Sequence, residues 1–440
     1  MGKNLVRKIF TDNGSWVAPA GVKSVRVRLF CSAKKIGAFL SGYGVRDDGY
    51  NSSSAWGSGG SGELGDGTTI GKSMPVVVAG GLQWVTVASG GSHALGLAKD
   101  GRVFTWGFNA SGQLGEGTVT SRSAPGVVTG ALKYRDVFGS NSVSYFIDVS
   151  GNGYACGAQG TFGRLGDGTL VDKSTPTLIA GSNKFKAIVG GGANGAGLTE
   201  AGAIVCWGSN NKGQLGDGTT VPKSSPVVVV GGRVFKEVAG GDFTLGITTN
   251  GDMYAWGNND NGQLGDGTVV SKSSPVLVLG GLKFKKCSIS NTASYGLTES
   301  GDIYAWGRNL QGQLGAGTTV AKSSPVLVTG GIKFVDLQGF YGLSEGACLG
   351  LSESGDIYAW GNNGNGALGN NSNVSQSVPV IVIGAYRYQT AQEELINERQ
   401  LDVVPGTTYA VKIYEATAKF EREVLGPSYG RARVIVEYFA

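Results

Sequence analysis

Short runs in which apolar and polar residues alternate recur along most of the chain. Pro275-Val-Leu-Val-Leu279, Gly281-Leu-Lys-Phe-Lys-Lys-Cys287, Ser294-Tyr-Gly-Leu-Thr298 and Asp302-Ile-Tyr-Ala-Trp306 follow one another, separated by Gly, Asn, Asp and Ser. A period of two over a few residues with turn formers at both ends predicts strands. The group of four then repeats. Its most regular phrase is Trp256-Gly257-Asn258-Asn259-Asp260-Asn261-Gly262-Gln263-Leu264-Gly265-Asp266-Gly267-Thr268, with Pro275 seven residues later.

The anchor position of that phrase falls at Trp56, Trp106, Cys156, Trp207, Trp256, Trp306 and Trp360, in steps of 50, 50, 51, 49, 50 and 54 residues. The prolines keep pace as Pro75, Pro125, Pro176, Pro226, Pro275, Pro325 and Pro379. A fixed period of this length decides the architecture before local propensity does. Four short strands per unit read as propeller blades, and radial closure gives each marginal blade two neighbours while leaving only short edges. The count of 78 glycines then follows from turns that need left-handed or closely packed backbone at fixed places.

The Trp-Gly-x-Asn-x-x-Gly-Gln-Leu-Gly-Asp-Gly-Thr phrase resembles the repeat of the regulator of chromosome condensation (RCC1) family, whose members form seven-bladed propellers. The resemblance covers about residues 36–392. It implies a fold, while functions within the family range from nucleotide exchange on a small GTPase to ultraviolet perception and inhibition of secreted bacterial enzymes; fold alone does not give function.

Both ends depart from the repeat. Lys8-Ile-Phe-Thr-Asp-Asn-Gly-Ser-Trp-Val-Ala-Pro-Ala-Gly-Val-Lys-Ser-Val-Arg-Val-Arg-Leu-Phe30 predicts strands near 7–11 and 24–30 around a Pro19-Ala20-Gly21 turn. Gln400-Leu-Asp-Val-Val-Pro-Gly-Thr-Thr-Tyr-Ala-Val-Lys-Ile-Tyr414 and Gly430-Arg-Ala-Arg-Val-Ile-Val-Glu-Tyr438 add further alternating runs. Together these segments resemble a small β-domain of bacteriophage tail and tail-fibre proteins, with the propeller standing where a glycine-rich stretch usually lies. The expected architecture is therefore all-β: a seven-bladed propeller over 36–392, inserted into a discontinuous β-sandwich-like domain made of 1–35 and 393–440. Such insertion is tolerated when the termini of the inserted unit lie close together. Blade one has only Phe39-Leu-Ser-Gly-Tyr-Gly-Val45 before its anchor, so residues 386–391, following Tyr386-Arg-Tyr388, are expected to supply its missing strand and close the ring.

Composition adds bounds. No stretch of 18 apolar residues exists, and residues 1–10 lack the apolar centre of a secretory signal, so synthesis in a cytosol without a membrane span is expected. Cys31, Cys156, Cys206, Cys287 and Cys348 are scattered and read as reduced, buried small hydrophobes. The net charge of +5 over 440 residues speaks weakly for an acidic partner. Its placement is more regular: three residues before each blade proline stand Lys72, Arg122, Lys173, Lys223, Lys272, Lys322 and Gln376. A matching acidic ring runs Asp66, Glu116, Asp167, Asp217 and Asp266 and breaks at Ala316 and Asn370. Local pairing of the two rings is the simpler reading, and a rim that reads phosphates or carboxylates on a cell-surface polymer is the sharper one.

Departures from the repeat mark the candidate binding residues, because loops vary where framework positions cannot. Blade seven has four extra residues in Leu337-Gln-Gly-Phe-Tyr-Gly-Leu-Ser-Glu-Gly346, which presents Phe340 and Tyr341; blade three has one extra residue in Ala158-Gln-Gly-Thr-Phe-Gly163, which presents Phe162; blade one carries Arg46-Asp-Asp-Gly-Tyr50. Exposed aromatics among polar residues suit protein or carbohydrate contacts. Catalysis finds little support. The single histidine, His93, occupies a slot that other blades fill with Asn194 or Phe243, which speaks against a multi-histidine metal site and against a serine–histidine device repeated between blades, and neither cofactor nor metal is implied. A carboxylate pair drawn from Asp47, Asp48 or the Asp66 ring is formally open, but nothing fixes its separation.

Three function classes follow. The first is a non-enzymatic bacteriophage virion protein of the tail or tail fibre, assembled in the host cytoplasm, docking to other tail proteins through the terminal domain and offering the propeller to a host polysaccharide or protein, as a monomer or homo-oligomer. The second is a bacterial protein-binding propeller that acts as inhibitor or effector. The third, a nucleotide exchange factor or chromatin binder, predicts a basic tail that the sequence lacks, so nucleic acid is not an expected partner.

Overall fold

The computed structural model describes residues 5–10, 14–17, 24–31, 35–38, 41–45, 53–339, 346–364, 366–382, 394–402, 408–411 and 433–439, with side-chain detail concentrated between 58 and 382. The described residues are organised entirely by β-sheets. Blade six shows the plan: Phe284–Ile289, Ala293–Thr298, Ile303–Gly307 and Lys322–Leu327 form an antiparallel meander in chain order. The same order holds for blade two (84–127), blade three (134–178), blade four (185–228), blade five (235–277) and blade seven (334–381). Seven blades were expected. These six are described through their side chains, and a further four-stranded sheet of Lys35–Ala38, Ser41–Val45, Ser53–Gly57 and Lys72–Val77 precedes them, its first two strands described by backbone alone.

The proline run belongs to the end of one blade rather than the start of the next, which corrects the unit drawn from the sequence. Pro275 lies in Lys272–Leu277, the outer strand of blade five, and blade six opens only at Phe284. An edge strand tolerates proline because half of its N–H groups face away from the ladder. The expected closure by residues 386–391 needs a similar correction. The strand Lys35–Ala38 already occupies the first position of its sheet, pairing with Ser41–Val45, while 386–391 lie outside the described residues.

The core lies between blades. The second strand of every blade from two to seven is buried at all six positions, and the third is buried at four or five of five. Phe243-Thr-Leu-Gly-Ile-Thr248 keeps the alternation of a strand although it is covered on both faces: Phe243, Leu245 and Ile247 fill one side, and the small residues Thr244, Gly246 and Thr248 let the neighbouring sheet approach the other. First strands pack against the first strands of adjacent blades and are therefore innermost, whereas the fourth strands are half-exposed at the circumference. A bulge beside Gly307 sets the direction of the loop that follows. Gly307 has φ +108°, and a Cβ there would stand 2.5 Å from Thr292 O, so glycine is required.

At the ends of the chain, Leu5–Phe10, Arg433–Phe439, Ser24–Cys31 and Glu394–Asp402 pair in that order, and Gly14–Val17 pairs with Thr408–Val411. Leu5–Phe10 and Ser24–Cys31 are separated by the C-terminal strand Arg433–Phe439. No helix among the described residues is long and apolar enough to cross a membrane.

Candidate binding rim

A meander places the connections between first and second strands, and between third and fourth, at one end of each blade. The repeated phrase is the third-to-fourth connection, and its polar residues hold it in shape. In blade five Asn259 Oδ1 accepts from Leu264 N at 2.9 Å, while Asn259 Nδ2 donates to Asp266 Oδ1, Thr268 O and Val270 O at 3.2, 3.1 and 3.2 Å. Asn109, Asn210, Asn309 and Asn363 receive the equivalent amide bond in their own blades. The two hydrogens of one buried amide are shared among carbonyl and carboxylate acceptors on three sides, which is what asparagine at this position supplies.

The apolar residues of the phrase latch the loop onto the next blade. Trp306 Nε1 donates to Gln263 O at 2.9 Å, Trp106 to Glu63 O at 2.9 Å and Trp207 to Arg164 O at 2.9 Å. Gly265 sits under the Trp306 indole, where a Cβ would be 2.7 Å from Nε1, and Gly267 N donates to Ser323 O at 2.9 Å. The repeat is thus a joint between blades.

The charged rings lie on this rim and largely neutralise each other. Arg122 meets Glu116 at 3.1 Å, Lys173 meets Asp167 at 3.5 Å, Lys272 meets Asp266 at 3.6 Å and Lys72 meets Asp66 at 4.0 Å. Burial pushes the Asp266 carboxyl upward, but hydrogen bonds from Thr268 and Asn259 together with the Lys272 charge outweigh it and hold the group below its ordinary value. Asp217 is lowered in the same way by Thr219, Asn210 and the Lys223 charge against its own desolvation. Lys322 differs: Ala316 replaces the carboxylate, and Lys322 forms no ion pair among the described residues.

Blade three carries the largest described departure on the rim. Its loop is one residue longer, and Gln159, one methylene longer than asparagine, spans it by accepting from Leu165 N at 2.6 Å and donating to Asp167 Oδ1 at 2.6 Å. Phe162 is 40 % exposed at the tip. Cys156 is fully buried in the anchor slot, its thiol 3.6 Å from Gln113 O and pushed upward in pKa by burial.

His93 is fully buried at the joint between blades two and three. Ser144 Oγ spends its one proton on Gln113 O at 2.6 Å, so His93 Nε2 is the donor in the 3.0 Å contact with Ser144 Oγ. Burial lowers the imidazole to about 3, which keeps it neutral.

Of the residues singled out from the sequence, Phe162 and the six cations Lys72, Arg122, Lys173, Lys223, Lys272 and Lys322 fall on one rim, while Phe340, Tyr341, Arg46 and Tyr50 lie outside the described residues. The sequence reading missed an aliphatic series on the same rim. Ile70, Val119, Val171, Val221, Val270, Val320 and Val374 are all more than half exposed, at least one per loop, with Leu170 and Val269 beside two of them, one or two residues past the Thr or Ser that ends the phrase. That spacing was the available signal. Among the described residues no three metal-ligating side chains converge.

Known proteins share this architecture. Human WBSCR16 superposes with a TM-score of 0.68 at 20 % identity, covering 76 % of this chain and 95 % of that one. Prp20p from Saccharomyces cerevisiae, studied for its binding to Gsp1p and histones, gives 0.65 at 20 % identity over 84 % and 88 % of the two chains. Yeast RCC1 (Prp20) in its crystal structure with Kap60 matches with 0.66 at 17 % identity, over 96 % and 90 %. At these identities the likeness shows the fold. The family model described as RCC1-like domain matches residues 53–396, and the chain belongs to that family.

Proposed function

We propose that the protein is a non-enzymatic, protein-binding RCC1-like propeller, carried by a small β-sandwich-like domain of its two ends as a component of a bacteriophage tail or tail fibre. Binding rather than catalysis is carried by one observation, the destination of the polar side chains. His93, the Asn259 series and four cation–carboxylate pairs are engaged in holding loops or joining blades, which leaves a rigid rim with departures displayed on it. We also infer a seven-bladed ring completed by the sheet at 35–77; supporting this, its first strand packs against the first strands of both blade two and blade seven. The virion assignment is supported by the phage-like segments at both ends and by the antiparallel pairing of those ends with each other. Recognition of a protein is further supported by the partners named for the yeast relative, Gsp1p, histones and Kap60.

Antibody–gold labelling of purified particles, with mass spectrometry of the same fraction, tests the virion role. Label at the tail or fibres is the expected result, and particles free of the chain would overturn it in favour of a soluble inhibitor or effector. Replacing Phe340 and Tyr341 by alanine tests the blade-seven insertion: adsorption or partner capture is expected to fall at least tenfold in the folded double variant, about what losing 1.4 kcal/mol or more of binding energy produces.

A further inference from the structure

Four described loops build a set of donors around a carboxylate. In blade five Asp266 Oδ1 accepts from Thr268 N at 3.0 Å and Thr268 Oγ1 at 2.7 Å, with Asn259 Nδ2 at 3.2 Å and Lys272 Nζ 3.6 Å from Oδ2. Asp66, Asp167 and Asp217 are held by their threonines in the same way. Blade six keeps every donor and lacks the acceptor. Asn309, Thr318 and Lys322 stand at the equivalent positions, the amide of Asn309 makes its usual bonds to Thr318 O and Val320 O at 2.9 and 3.1 Å, and residue 316 is alanine. Among the described residues Thr318 N, Thr318 Oγ1 and Lys322 Nζ have no acceptor. Blade seven is different again, since there Asn370 supplies its own acceptor to Asn363 at 3.0 Å.

We propose that the blade-six loop receives a carboxylate from a partner protein, an Asp or Glu side chain that enters beside Ala316 and accepts from Thr318 N–H, Thr318 O–H and the Lys322 ammonium. The shape of the site is fixed by four neighbouring loops that hold the same group covalently. Charge-assisted bonds to a donor set arranged in advance lose little on ordering. A polypeptide suits the surroundings better than a sugar acid because Leu310 and Val320, on the same loop, are both more than half exposed and offer apolar contact. This deepens the protein-binding reading but not the virion assignment, so failure of the gold-labelling experiment leaves it standing.

The test uses the full chain labelled with 15N-threonine. Acetate is titrated against chloride of equal ionic strength, and Thr318 is compared with Thr219 and Thr268, whose carboxylates are built in. A saturable shift confined to Thr318 is expected, and a response of Thr318 no different from that of the other two would overturn the site. Ala316→Asp restores the side chain that four other loops accommodate; it should move the Thr318 amide towards the position of Thr268, raise the melting temperature and abolish the acetate response. Lys322→Gln, which leaves the loop backbone alone, should weaken acetate binding severalfold. A Glu-Ser copolymer peptide should compete with acetate for the same shift. Binding of oligogalacturonate with no response to the peptide would overturn the assignment to a protein partner.

Discussion

In blade seven Phe334 and Trp360 pack side by side and Gly350, on the strand between them, leaves them room: a Cβ on Gly350 would meet Phe334 Cε1 at 2.6 Å and Trp360 Cη2 at 3.3 Å. Blade three reverses both choices. Its anchor is Cys156 and the position of Gly350 is taken by Phe146, each fully buried and grouped in one cluster with Tyr134, whose ring centroid lies 5.2 Å from that of Phe146. The strands are in the same register, Val143 opposite Gly157 and Ala347 opposite Gly361, so the exchange is one of side-chain volume within a constant backbone. Close packing tolerates this because volume is conserved across the pair rather than at either position. A blade can therefore lose the residue that defines the repeat without losing its joint, since Cys156 Sγ still points at Gln113 O where a tryptophan elsewhere meets its neighbour's loop.

The comparison breaks most visibly if the two halves of the exchange are separated. Phe146→Gly leaves a cavity with no compensating indole and should cost about 4–6 kcal/mol, combining the loss of a buried aromatic ring with the penalty of glycine in a strand. Cys156→Trp alone overfills the cluster and should cost about 1–3 kcal/mol. The double variant recreates the blade-seven arrangement and should recover most of the loss, so that denaturant melts of the four proteins give a coupling energy opposite in sign to the two single effects. Strictly additive effects would show that the two positions do not share space.

The joint between blades two and three gives a second contrast, this time in pH. Folded His93 titrates at about 3, whereas the unfolded chain takes up that proton near 6.5. The unfolded state thus binds the extra proton between these values, and stability is fully present above pH 6.5 and falls as pH drops towards 3. For a wholly buried group the loss at the acid end is on the order of 4 kcal/mol. His93→Asn, which copies the blade-four residue Asn194, should flatten the stability profile between pH 6.5 and 4. An unchanged slope would mean that the imidazole is protonated inside the fold.

How far the sequence reaches is visible in these same residues. The blades from two to seven were legible because the Gly-x-Leu-Gly turn and, outside blade three, Trp-Gly-x-Asn recur at a period that only a stacked unit explains, and local pairing of the two charged rings was the simpler of the two readings their placement allowed. Which blade owns the proline strand was not legible. A repeat in sequence has no marked beginning, and only the hydrogen bonding of Lys272–Leu277 to Met253–Gly257 assigns it. The role of Asn259 was hidden for a related reason, since its acceptors Asp266, Thr268 and Val270 become neighbours only once the loop is folded back. Phe146 was equally hidden, because an aromatic in a strand run carries no sign that it stands in for a tryptophan ten residues away.

The smallest effect separates loop length from side-chain reach. Gln159 and the extra residue between it and Gly163 are two changes that make sense only together: a longer loop moves the acceptors outward, and one more methylene lets the amide follow them to Asp167 and Leu165. Gln159→Asn in the loop as it stands should strand the Leu165 amide and the Asp167 contact, costing about 1–2 kcal/mol for two partly buried hydrogen bonds. Deleting Gly160 in the same protein shortens the loop to the length found in blade five and should return the melting midpoint to near the starting value. It should also change the presentation of Phe162, since the residue that displays it is the one removed from the register. If the shortened loop regains stability while partner capture falls, the insertion serves binding and Gln159 serves only to accommodate it; if capture is unaffected, the departure in blade three is confined to packing.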